Sequence, residues 1–83
     1  MTAHRDWPEV PNPWGVTAAE AACLDAFAEQ GAHKLVAREL GLSVKTVETY
    51  CMRAYSRLGC SGLKAIVRWD RHRRPAAAQG DLA

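Results

Sequence analysis

Three histidines and three cysteines are the side chains of this 83-residue sequence best suited to nucleophilic or metal chemistry, and their placement argues against both. His4, His33 and His72 are scattered, with no nucleophile or carboxylate at a useful spacing, so no acid–base pair or triad can be assembled from the sequence. Cys23, Cys51 and Cys60 are odd in number, form no CxxC and fall where helices would bury them, which points to reduced thiols rather than disulfides or a zinc site. No catalytic residue, metal ligand or cofactor is therefore expected.

The chemistry that remains is electrostatic. The formal net charge of +2 hides an asymmetry: residues 1–33 carry one arginine against five acids, whereas residues 34–74 carry ten lysines or arginines against three. Such a basic half suits a polyanionic partner, although a merely solvated basic face would look the same. Within it, the segment Val44 to Leu58 sorts its residues by helical angle. Val47, Cys51, Ala54 and Leu58 fall on one side at about 100° per residue, and Lys45, Glu48, Thr49, Met52 and Ser56 on the other.

Four helices are expected to hold that segment in place. Thr17 with Glu20 three residues on forms a capping box, and Gly31 supplies a left-handed stop, giving a first helix from Ala18 to Gln30 with Cys23, Leu24, Phe27 and Ala28 inward. A second runs from His33 to Leu40, buries Val36, Ala37 and Leu40, and ends at Gly41. Ser43 caps the third, Val44 to Leu58, which Gly59 ends. Ser61 is expected to cap a fourth, in "GLKAIVRWDRHRR", with Leu63, Ile66 and Val67 inward and basic residues toward its C-terminal end. Trp69 falls off that stripe, which leaves it either at the edge of the core or exposed.

The ends differ in character. "MTAHRDWPEVPNPWG", residues 1–15, has prolines that forbid a helix and reads as an extended arm; its Trp7 and Trp14 either pack on the rest or await a partner. Residues 75–83, "PAAAQGDLA", lack periodicity and read as a disordered tail. At 48% apolar and 24% charged residues the chain has an ordinary globular balance, and the stretch between its ends, 16–74, is expected to fold around a small core. No apolar run nears the roughly 18 residues that span a bilayer and the N-terminus lacks the apolar stretch of a secretion signal, so no membrane association and a cytoplasmic location are expected.

The junction "GLS" decides what the third helix is for. Two short helices meeting through a three-residue turn that contains glycine make a helix-turn-helix, which presents its second helix to the DNA major groove. Counting from His33, the small Ala37 lies where the two helices meet closely, Gly41 is ninth, where a positive φ is needed, and Val47 and Tyr50 are fifteenth and eighteenth, where the second helix packs back. An ordinary helical hairpin is the alternative.

Residues 16–72 resemble the LuxR-type (GerE-type) tetrahelical DNA-binding domain of bacterial transcriptional regulators. "VTAAEAACL" is similar to that family's opening L-T-x-R-E-x-x-V-L, "LVARELGLSVKTVETY" to its I-A-x-x-L-x-I-S-x-K-T-V-x-x-H core, and "RLGCSG" to the K-L-G-V before its fourth helix. The resemblance implies that Lys45 and Thr46, beside the capping Ser43, meet phosphates, that Glu48, Thr49 and Met52 face base edges, and that Arg57 reaches the backbone at the far end; Arg53, from its place around the outward face of the third helix, is expected to add a phosphate contact. Ala19, Tyr50 and Cys51 depart from the residues usual in the family.

The expected function is thus a free-standing, sequence-specific DNA-binding regulator of bacterial or phage origin, with neither sensor domain nor small-molecule ligand. It is expected to act as a homodimer through its fourth helix, with Trp69 and Ala65 at the interface, on double-stranded DNA. The alternative is an interaction protein on the same fold that sequesters a regulator or the transcription machinery, with Trp7 and Trp14 as its partner arm. A role like region 4 of sigma factors belongs to that alternative, since "TVETYCMRAYSRL" also resembles the recognition helix of that region.

Overall fold

A computed structural model describes residues 7–74. The first six residues of the arm and the segment 75–83, read above as a disordered tail, lie outside it.

Four helices follow one another: α1 (Ala18–Gln30), α2 (His33–Leu40), α3 (Val44–Leu58) and α4 (Leu63–Arg73), and no strand occurs among the described residues. Local chemistry sets the boundaries. Thr17 Oγ1 accepts from the Glu20 N–H at 3.2 Å while Glu20 Oε1 accepts from the Thr17 N–H at 3.1 Å, so the capping box closes in both directions. At the end of α2, Gly41 adopts φ 70°, a left-handed conformation that a side chain would strain, and both its N–H and that of Leu42 turn back onto the Ala37 carbonyl. Two residues later Ser43 Oγ accepts from the Thr46 N–H at 3.1 Å and starts α3. The Gly41–Ser43 turn is the expected one.

Two apolar clusters share α1 as a wall. Cys23, Ala26, Val36, Ala37, Val47 and Cys51 join α1, α2 and the first half of α3. Val16, Ala21, Leu24, Ala54, Leu58, Ala65, Ile66 and Trp69 join α1, the second half of α3 and α4, with Phe27 and Tyr55 touching both clusters. Helix α3 is consequently gripped along its whole length, by α2 at one end and α4 at the other. All four of its expected inward residues are buried, at 0–1% exposure.

Helix α4 is rotated from the sequence reading. Leu63 is 77% and Val67 40% exposed, whereas Ala65, Ile66 and Trp69 are buried. Trp69 has the largest apolar area of the candidates, and burial satisfies its polar end as well: the indole N–H donates to Asp25 Oδ1 on α1 at 2.8 Å. Trp69 and Ala65 therefore belong to the core and offer no surface for pairing. Ser61 is not the cap of α4 either; Gly62 occupies that position, with no side-chain hydrogen bond. On α1, Ala28 is exposed and the buried face is made instead by Glu20, Ala21, Cys23, Leu24 and Ala26.

The described part of the arm packs on the helices. Asn12 staples it: its Nδ2 donates to the carbonyls of Val10 (2.8 Å) and Val16 (3.0 Å), and its Oδ1 accepts from the N–H groups of Trp14 (3.1 Å) and Val16 (3.0 Å). The Trp14 ring then lies 6.2 Å from Trp69 and edge-on to His72 at 5.2 Å. His72 Nε2 donates to the Pro11 carbonyl at 2.7 Å, which fixes the proton on that nitrogen, since a carbonyl only accepts. Trp14 is thus spent on the chain's own α4 rather than held out for a partner, and Trp7 is half-buried.

Candidate nucleic-acid interface

The outward side of α3 is polar at its start, mixed at its centre and basic beyond. Lys45, Glu48, Met52, Arg53 and Ser56 are exposed and Thr49 is half-buried. Met52, at 67%, is an apolar side chain with nothing of its own fold to cover it. Helical geometry puts Lys45, Thr49, Met52 and Ser56 near the middle of this side and Glu48 at its edge, about 90° from the buried stripe.

At the N-terminus of α3 the Ser43 hydroxyl donates to Thr46 Oγ1 at 2.9 Å as it caps the Thr46 N–H. The two side chains are locked together, and the first turn presents backbone N–H groups and the positive end of the helix dipole beside Lys45. That arrangement suits an anion. One turn on, Thr49 Oγ1 donates to the Lys45 carbonyl at 3.0 Å. Its hydroxyl proton is occupied, so toward a ligand Thr49 offers an acceptor oxygen and a methyl group.

Arg57 stands apart from this group. Its Nε donates to Glu20 Oε1 at 3.0 Å, and the Glu20 side chain is 3% exposed against 41% for Arg57. The sequence identified Glu20 only as half of a capping box; the same oxygen also accepts from Arg57, thirty-seven residues later. Arg57 neutralises a buried carboxylate and ties α3 to α1 from the flank of the outward face. Arg73 and Arg74 are likewise engaged, with Asp25 at 3.0 Å and with Asp70 at 3.1 Å. Among the described residues seven cations make no ion pair: Lys34, Arg38, Lys45 and Arg53 on the two helices of the turn, and Lys64, Arg68 and Arg71 on α4.

The buried thiols are held in the protonated form at neutral pH. Burial pushes Cys23 up from 9.0 to about 12, with Cys51 and Glu20 adding to the rise, and burial also raises Cys51 despite a hydrogen bond with Tyr55 that lowers it. No group of three or more metal-ligating side chains occurs among the described residues, and no helix there is long and apolar enough to cross a membrane.

A family model described as bacterial regulatory proteins, luxR family (GerE), matches residues 16–69. The chain belongs to the LuxR family of bacterial regulatory proteins. The matched span runs from Val16, the first core residue ahead of α1, to Trp69, the buried anchor of α4, so it takes in both apolar clusters and the whole of the turn. This LuxR-type helix-turn-helix is a DNA-binding domain of transcription regulators, not an enzyme fold. No curated protein and no solved structure matches the chain.

Proposed function

We propose that this LuxR-family chain is a sequence-specific transcription regulator that lays α3 in the major groove of double-stranded DNA, one copy on each half-site of a two-fold operator. The observation that carries this reading is the division of α3 itself: Val47, Cys51, Ala54 and Leu58 are sealed against the three other helices, while Met52 and its polar neighbours are left uncovered. A helix gripped in that way has one orientation to offer a ligand.

Roles follow from chemistry. Lys45 and Arg53 neutralise phosphates, and the capped first turn with Ser43 and Thr46 accepts another. Thr49 and Met52 present a methyl group, an acceptor oxygen and an apolar chain to the groove floor, which suits thymine methyls and base donors. Glu48, at the edge, accepts from a cytosine amino group and repels phosphates that come too near. Copies on adjacent half-sites about 34 Å apart place their α3 helices on one side of the duplex.

Selection from a library of random duplexes tests this reading. The expected result is an enriched motif made of two inverted half-sites, bound with a strong salt dependence. Recovery of unenriched sequence, or of no duplex at all, refutes it.

A further inference from the structure

Helix α3 contains no asparagine or glutamine, the side chains that pair bidentately with adenine, and one of its two arginines, Arg57, is held by Glu20. Near the middle of its uncovered side stand Thr49 and Met52 instead, three residues apart and therefore neighbours on the helix surface. Thr49 Oγ1 gives its proton to the Lys45 carbonyl at 3.0 Å, which leaves a bare acceptor oxygen and a methyl group for a ligand. Met52 is 67% exposed, unbranched and polarizable, and it borders an open recess of about 450 Å³ with Tyr55, Gly59 and Cys60, which gives its thioether room to swing. An acceptor beside an apolar chain is what this pair has to offer a base.

We propose that Thr49 and Met52 together read a C5-methylated pyrimidine in the major groove, with 5-methylcytosine the best fit, so that cytosine methylation within a half-site raises its occupancy. The inference rests on α3 lying in the groove and adds what it selects there. On a single base edge 5-methylcytosine sets the N4 amino donor beside the C5 methyl, the complement of an acceptor oxygen beside an apolar chain. Thymine has the same methyl but brings its O4 acceptor against the Thr49 oxygen, cytosine has the donor without the methyl, and uracil has neither. Glu48, at the edge of the same side, is a second acceptor and shares the preference for N4 over O4. Lys45 and Arg53 are blind to the difference, because the phosphates they meet are the same for all four bases. Burial of one methyl is worth about fourfold in affinity at each half-site.

The test uses the full chain and a duplex taken from the random-library selection, with each pyrimidine position of the half-site varied in turn and both half-sites changed together. Cytosine is compared with 5-methylcytosine opposite guanine, and uracil with thymine opposite adenine, so that only the methyl differs within each comparison. At one position the methylated base should bind about tenfold more tightly in both comparisons, the product of two half-sites. In Met52→Ala both ratios should fall close to one. Thr49→Val keeps the shape and the methyl but has no acceptor; it should keep both ratios and lose the preference for 5-methylcytosine over thymine. Methyl ratios of one at every position in the wild type overturn the proposal, as do ratios that survive Met52→Ala or a 5-methylcytosine preference that survives Thr49→Val. A selection that enriches no motif removes the DNA reading itself, whereas an enriched motif bound without regard to methyl groups removes this proposal alone.

Discussion

Trp69 on α4 donates its indole N–H to Asp25 on α1 at 2.8 Å, and Asp25 also receives Arg73 at 3.0 Å, so one carboxylate fastens the last helix to the first. Trp69 is 1% exposed. Trp69→Ala should cost about 3–5 kcal/mol, a large part of the stability of so small a domain. Trp69→Phe keeps a ring but orphans the hydrogen bond, and it should cost about 1.5–3 kcal/mol. Urea midpoints measure both. Sedimentation of the Trp69→Phe variant should match that of the wild type, because the residue lies inside one copy.

The Glu20–Arg57 pair predicts a separation of effects between two cations of α3. Arg57→Ala leaves a buried carboxylate with only the Thr17 N–H and should destabilise the fold by about 1.5–3 kcal/mol. It should leave the slope of log K against log salt for DNA binding nearly unchanged. Lys45→Ala should do the reverse, sparing stability and flattening that slope by about 0.9 for the lost phosphate contact. Denaturant titration and binding across ionic strengths, on both variants, check the pair of expectations.

Thiol chemistry should follow burial. At pH 8 a thiol reagent should label the half-buried Cys60 first, and Cys23 and Cys51 only as fast as the domain opens. Cys23 is raised from 9.0 to about 12, so the folded state favours the neutral thiol. The stability this confers is complete below pH 9 and declines as pH rises toward 12, where the unfolded chain is ionised and the folded one is not yet. Cys23→Ala should show a shallower alkaline loss of stability than the wild type.

Removing residues 1–14 should destabilise the helices rather than leave them untouched, since Trp14 covers Trp69 and Pro11 accepts from His72. Asn12→Ala, which deletes four hydrogen bonds of the arm, should reproduce part of that loss, about 1–2 kcal/mol. Thermal unfolding of the two variants beside the wild type measures the arm's contribution.

The helix boundaries were legible because each is written in adjacent residues: Thr17 with Glu20, Gly41 before Ser43, Gly59 after Leu58. The outward side of α3 was legible for a similar reason, since Val47, Cys51, Ala54 and Leu58 leave one consistent stripe. Helix α4 was ambiguous because apolar residues surround it, and Leu63–Val67 competes with Ala65–Ile66–Trp69. What settles the choice is Asp25, forty-four residues upstream of Trp69, and no local pattern carries that information. The Asn12 staple escaped notice for the same kind of reason, because its partners are backbone groups brought round by the turn it holds.

If the uncovered side of α3 reads DNA bases, Met52→Ala should reveal it. The side chain is 67% exposed, so its removal should leave the fold intact. The measurement is the affinity of wild type and variant for a selected duplex and for a scrambled duplex of equal length, at one salt concentration. A loss of about 1–3 kcal/mol is expected on the selected duplex and almost none on the scrambled one. Equal losses on both, or no loss on either, would contradict it.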